Sequence, residues 1–164
     1  MKRFVLLFIL AMLVYYGVRL HQLLGKGSGA DMTVDPLLVE LLNEWKKDMA
    51  DNDIYYATTF NRLHKIIVVE DSLITGSKQG NVAYANMYEH NIKISKGIVE
   101  RGRLVTKATL YHELGHYVFD LDHVDAYCLM HEYSHEEADL KKNWDYLLDM
   151  YLIRCKNHEN YAKL

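Results

Sequence analysis

The sequence predicts an α+β domain, a small mixed sheet packed on an internal helix and a C-terminal helix, with an apolar helix ahead of it at the N-terminus. Two observations carry the domain. Apolar residues recur at helical spacing over 36–50, 104–119 and 136–155. Between the first two stretches lie three short runs, 65–70, 82–88 and 92–95, that read as strands. A third observation sets the N-terminus apart. Met1-Lys2-Arg3 precedes fifteen residues, Phe4 to Val18, without a charge.

A basic start before an apolar run is an export or anchoring signal. The run is shorter than the ~20 residues a transmembrane helix needs, but Leu20, Leu23 and Leu24 extend it if Arg19 snorkels. The segment 1–24 is therefore expected to be a signal-anchor that contacts the membrane through residues 4–20. Lys2, Arg3 and the terminal amine outweigh Arg19 and Lys26, so the positive-inside rule places the body outside the cytoplasm. Secretion after cleavage near Ser28-Gly29-Ala30 is the alternative. Residues 25–34, beginning Gly-Lys-Gly-Ser-Gly, are a linker. The folded domain spans 35–164.

Composition narrows the class of that domain. The chain has 164 residues, half of them hydrophobic and a quarter charged, which suits one packed domain and not a disordered chain. A net charge of −3 offers no basic footprint, so no nucleic-acid partner is expected. Two cysteines exclude a disulfide-dense scaffold and a four-thiolate zinc site. An extracytoplasmic setting permits a Cys128–Cys155 bridge, and two free buried thiols are equally compatible with the sequence.

Each element has a local reason. Asp35-Pro36 reads as an N-cap followed by proline at the first helical position. Leu37, Leu38, Leu41, Leu42 and Trp45 then form one helix face. Lys65 to Glu70 is β-branched and bounded by polar residues, a strand. Residues 74–80 are a loop. Val82 to Tyr88 and Ile92 to Ser95 are strands joined by Glu89-His90-Asn91. Leu104 to Phe119 is a helix with Leu110, Leu114, Tyr117 and Val118 as its apolar side, and 120–134 has no period. Glu136 to Cys155 closes the chain with Leu140, Trp144, Leu147, Leu148, Tyr151 and Leu152 on one face.

The chemistry concentrates on the second long helix. Five of nine histidines lie between His112 and His135, and His112-Glu113-Leu114-Gly115-His116 is an H-E-x-x-H run. Residues i and i+4 project from nearly one face of a helix, so two imidazoles one turn apart can hold a zinc ion. The glutamate beside them can take a proton from water activated there. Chance yields such a run in a chain of this composition at roughly 0.03. A polar pair within the apolar flanks Thr109-Leu110-Tyr111 and Tyr117-Val118-Phe119 also needs a partner, which a metal supplies. A catalytic zinc keeps three protein ligands. The candidates for the third are His123, Asp122 and Glu136.

These residues resemble the metzincin clan of zinc metallopeptidases, in a small phage or bacterial type of member. The clan's pattern is H-E-x-x-H-x-x-G-x-x-H followed by a methionine turn. His112, Glu113 and His116 are in register with it, and Cys128-Leu129-Met130-His131 is similar to the methionine turn. Upstream, 80–85 resembles the clan's substrate-binding edge strand and 92–95 the next strand inward. The resemblance implies a zinc metalloendopeptidase acting on peptide or protein substrate, with Glu113 as general base. Two positions depart from the pattern. Phe119 replaces the glycine that ends the helix in the left-handed conformation, and the histidine arrives one residue late, at 123. Asp120 tolerates that conformation better than Phe. A turn displaced by one residue would displace the ligand with it, to His123. Some clan members use aspartate in the Asp122 position, and the Glu136 spacing suits thermolysin-like regulatory peptidases. Tyr133 follows Met130 as an oxyanion-binding tyrosine does in some clan members, but at a different offset, and reads as a packed surface tyrosine. His131 and His135 read as loop residues. A non-catalytic zinc-stabilised module, with a fourth ligand such as His131 or Asp122, is the rival from another class.

Overall fold

The computed structural model describes residues 32–74, 82–132 and 135–161, with the side chains of 159–161 left aside. Among these residues no helix is long and apolar enough to cross a membrane. The expected membrane segment 4–20 lies outside them, as do Tyr133 and nearly all of the expected loop 74–80.

The domain is α+β with a mixed four-stranded sheet. Its strands are β1 (Thr33–Val34), β2 (Lys65–Val69), β3 (Ala83–Asn86) and β4 (Asn91–Ser95). Their order is β1-β2-β4-β3; β1, β2 and β4 run parallel, and β3 joins antiparallel as an edge. Among the described residues five α-helices accompany them: α1 (Val39–Asp51), α2 (Ala57–Phe60), α3 (Lys96–Glu100), α4 (Arg103–Phe119) and α5 (Glu137–Tyr161). Strand β1 occupies the end of the stretch read as a linker, where parallel pairing with β2 ties it to the sheet.

The boundaries follow local chemistry. Asp35 accepts the Leu37 amide at 3.0 Å, and the first turn, Pro36–Leu38, is 3-10 and not α. Leu38, Leu41, Leu42, Trp45 and Met49 are buried from there on. Strand β3 stops at Asn86, two residues short of the expected end. The Asn86 carboxamide oxygen accepts the amides of Tyr88 and Glu89 at 2.9 and 3.0 Å, a turn that diverts the backbone from the ladder. Ser95 caps α3 by accepting the Ile98 amide at 3.2 Å. Gly102 then reverses the chain at φ 112°, a conformation open to glycine, before α4 begins. Helices α2 and α3 are single turns, too short to show a period.

The register sets which sheet face meets the helices. Ile66 pairs with Ile92, Ala85 with Ile92 and Ala83 with Ile94, so all five share a face. Ile66, Ile92 and Ile94 are fully buried in the core with Trp45, Leu110, Leu114 and Tyr151. The small Ala83 and Ala85 let α4 settle directly on the edge strand. That contact builds the site. The two cysteines, Cys128 and Cys155, are free and buried in the same core.

Candidate metal centre

Helix α4 carries His112 and His116 one turn apart, and its C-terminus brings a third imidazole back to them. Asp120 ends the helix in the left-handed conformation, φ 50° and ψ 38°, one residue beyond Phe119. The Leu121 amide then reaches back to the Gly115 carbonyl at 3.2 Å. The reversal returns the chain, and His123 completes the cluster. The three Nε2 atoms are 3.0 Å (His112–His116), 3.0 Å (His116–His123) and 3.1 Å (His112–His123) apart.

Hydrogen bonding decides what those nitrogens offer. The Nδ1–H of His112 donates to the Leu129 carbonyl at 2.7 Å, and that of His116 to the Leu121 carbonyl at 2.6 Å. A carbonyl only accepts, so the ring proton sits on Nδ1 and Nε2 is a bare lone pair. Burial, with His116 beside it, depresses the His112 imidazolium to about 3; burial lowers His116 as well. Both rings are thus held neutral, the form that binds a metal. Unprotonated nitrogens converging at 3.0 Å repel one another unless a cation stands between them. Around a zinc ion at ~2.0–2.1 Å in tetrahedral geometry, ligand nitrogens stand about 3.3 Å apart. The donor set and its spacing fit zinc.

His112, His116 and His123 are the group of metal-ligating side chains found together among the described residues. The other candidates stand apart. Glu136 is mostly solvent-exposed and pairs with Arg101 at 3.4 Å. Asp122 is exposed, and its main-chain carbonyl is taken by Arg154 at 3.1 Å.

Glu113 lies in the same cleft, 6% exposed. Burial pushes its carboxyl up to about 8, and a hydrogen bond from the Ala85 backbone opposes the shift. The direction of that amide follows from the register. The Ser95 amide donates to the Val82 carbonyl at 2.9 Å. Hydrogen-bonded and non-bonded pairs alternate in an antiparallel ladder. Tyr84 and Asn86 therefore bond to β4, while Ala83 and Ala85 turn their amides and carbonyls off the edge, toward the cleft. The cleft holds about 400 Å³. Val82–Ala85 form one wall, Val105, Ala108 and Thr109 continue from α4, and Leu129, His131, Glu132 and His135 close the far side.

Met130 packs against α4 at Gly115. It is fully buried, with its thioether beneath the helix at Gly115. A β-carbon on Gly115 would stand 2.6 Å from the Met130 sulfur and 3.1 Å from the Tyr151 ring, itself fully buried. Gly115→Ala is therefore expected to destabilise. Overpacking of ~1–3 kcal/mol outweighs the ~1 kcal/mol that alanine gains in helix propensity. A lower thermal midpoint by circular dichroism checks this.

Sequence reasoning placed the three histidines that converge and missed the groups that hold their rings and turn. His131 and His135, read as loop residues, line the cleft. His135 donates through Nε2 to the Cys128 carbonyl at 2.9 Å, fixing the turn whose next carbonyl, Leu129, orients His112. The backbone groups of Leu121, Leu129 and Ala85 carry no residue-type signal at all. No family model, curated protein or solved structure matches the chain.

Proposed function

We propose that the chain is a zinc-dependent endopeptidase, metzincin-like in arrangement, with His112, His116 and His123 as the metal ligands and Glu113 as general base. The convergence of three imidazole Nε2 atoms beside a buried glutamate is the observation that carries the reading. Three protein ligands are the set that leaves a coordination position for chemistry. Zinc in such a site supplies Lewis acidity, bringing the pKa of water to near ~7 and polarising a carbonyl.

The chain's own groups do the rest. In its ionised form, which a cation held by the three histidines would favour, Glu113 takes the proton of the attacking water on a carboxylate oxygen and returns it to the leaving amine nitrogen. The Ala85 amide holds that carboxylate against the wall of the cleft. The free amide and carbonyl of Ala83 suit an extended peptide laid along β3 by strand addition, so β3 serves as the substrate edge. Apolar Val105, Ala108 and Leu129 receive a side chain next to the scissile bond. Met130 keeps the histidine-bearing helix at a constant height. The N-terminal segment 4–20 tethers the domain to the membrane on its extracytoplasmic side.

Zinc added back to the chelator-stripped full-length chain, then mixed with an unfolded polypeptide, tests the proposal. Cleavage is expected with zinc and not with chelator, read as new peptide termini by mass spectrometry. Zinc-loaded chain that leaves every unfolded substrate intact would sink it.

A further inference from the structure

We infer that Arg154, on the final helix, is a positioning residue for the third histidine of the centre and sets the affinity of the site for its metal. The inference rests on the ligand assignment proposed above. His112 and His116 each have a ring tether, a carbonyl accepting from Nδ1. For the His123 ring no such tether is found among the described residues; its hydrogen-bond contacts there are with the other two Nε2 atoms. His123 is also the exposed member of the three. Its place is therefore set through the main chain on either side.

Three contacts do this. The Leu121 amide is bonded to the Gly115 carbonyl at 3.2 Å. The Val124 amide is bonded to the Met130 carbonyl at 3.1 Å. Between them, the Asp122 carbonyl, in the peptide unit that leads into His123, accepts from Arg154 Nη2 at 3.1 Å. This last contact is the one that comes from another element, thirty-two residues away. Arg154 sits one turn beyond Tyr151, whose ring packs under α4 at Gly115. One helix thus supports both the two-histidine turn and the loop that supplies the third.

The guanidinium is placed at a cost. Its Nε is shut off from solvent with no hydrogen-bond partner among the described residues. A desolvated donor left unpaired is unfavourable, so fold stability alone does not select arginine here. Partners that orient metal ligands commonly alter metal affinity when removed.

The test uses the full-length chain with Arg154→Met and Arg154→Lys, each alone and combined with His123→Ala. Zinc affinity is measured by competition with a chromogenic chelator, and the metal-free thermal midpoint is followed separately. Arg154→Met is expected to weaken zinc binding about tenfold or more. Arg154→Lys, which keeps a donor, should recover part of the loss. In the His123→Ala background the Arg154 substitutions should change zinc affinity no further, because the route through His123 is gone. Affinity within about twofold of the parent for both variants, or an equal loss with and without His123, overturns the inference. If Arg154→Met does not fold, Arg154→Lys decides by the same comparison. A parent chain that binds zinc without cleaving peptides defeats the peptidase reading and leaves this one standing; one that binds no zinc defeats both.

Discussion

On the proposed endopeptidase reading, Glu113→Gln is expected to keep zinc and lose peptide hydrolysis. Glutamine has the shape of glutamate, and its carbonyl oxygen can still accept the Ala85 amide. The buried position already disfavours the charged form, so an uncharged amide should not unfold the helix. What disappears is the ability to take a proton from water and hand it to the leaving amine. General base catalysis is worth roughly 10²–10⁴ in rate, and kcat/KM should fall by that order. Zinc content and thermal midpoint should match the parent. Activity equal to the parent in a variant of proven sequence would remove Glu113 from its assigned role.

His123→Ala should weaken zinc binding steeply, to the level His112 and His116 hold alone, while Asp122→Ala and Glu136→Ala should leave it intact. The His123 nitrogen lies 3.0–3.1 Å from those of His116 and His112, and among the described residues no other side chain is grouped with that pair. Its loss should exceed the ~10–100-fold typical of removing an outer partner. Asp122 lends its backbone carbonyl to the site, and alanine retains that group. Glu136 is held at the surface by Arg101. Zinc stoichiometry on the three variants side by side separates the alternatives. Retention of metal by His123→Ala with loss in Glu136→Ala would replace the metzincin-like arrangement by a thermolysin-like one.

Much of the site was legible because a helix has a fixed period. His112 and His116 share a face by spacing alone, and Glu113 follows from its place beside the first. Asp120 as the left-handed residue was legible too, since Phe119 cannot adopt that conformation cheaply. The structure shows it there, with φ 50°. Strand β3 was legible as a strand but not in its length. Its end is decided by the Asn86 side chain capturing two amides, an event no alternation of apolar residues records. Short elements such as α2 and α3 were missed for the same reason: one turn holds too few residues for a period. The role of the alanines in β3 was also invisible. They matter for their smallness against α4, and this depends on which face they share with Ile92 and Ile94.

The sequence by itself determined the α+β class, the helices with a buried stripe, the paired imidazoles and the carboxylate next to them. All of these are repeats or neighbours within a few residues, where covalent geometry fixes who faces whom. Only the tertiary structure decided which of His123, Asp122 and Glu136 reaches the pair, which edge of the sheet walls the cleft, and that Arg154 braces the returning loop. Those contacts join chain segments tens of residues apart. Their distances are set by the packing of α4 and α5 about a common core, and no local pattern encodes that.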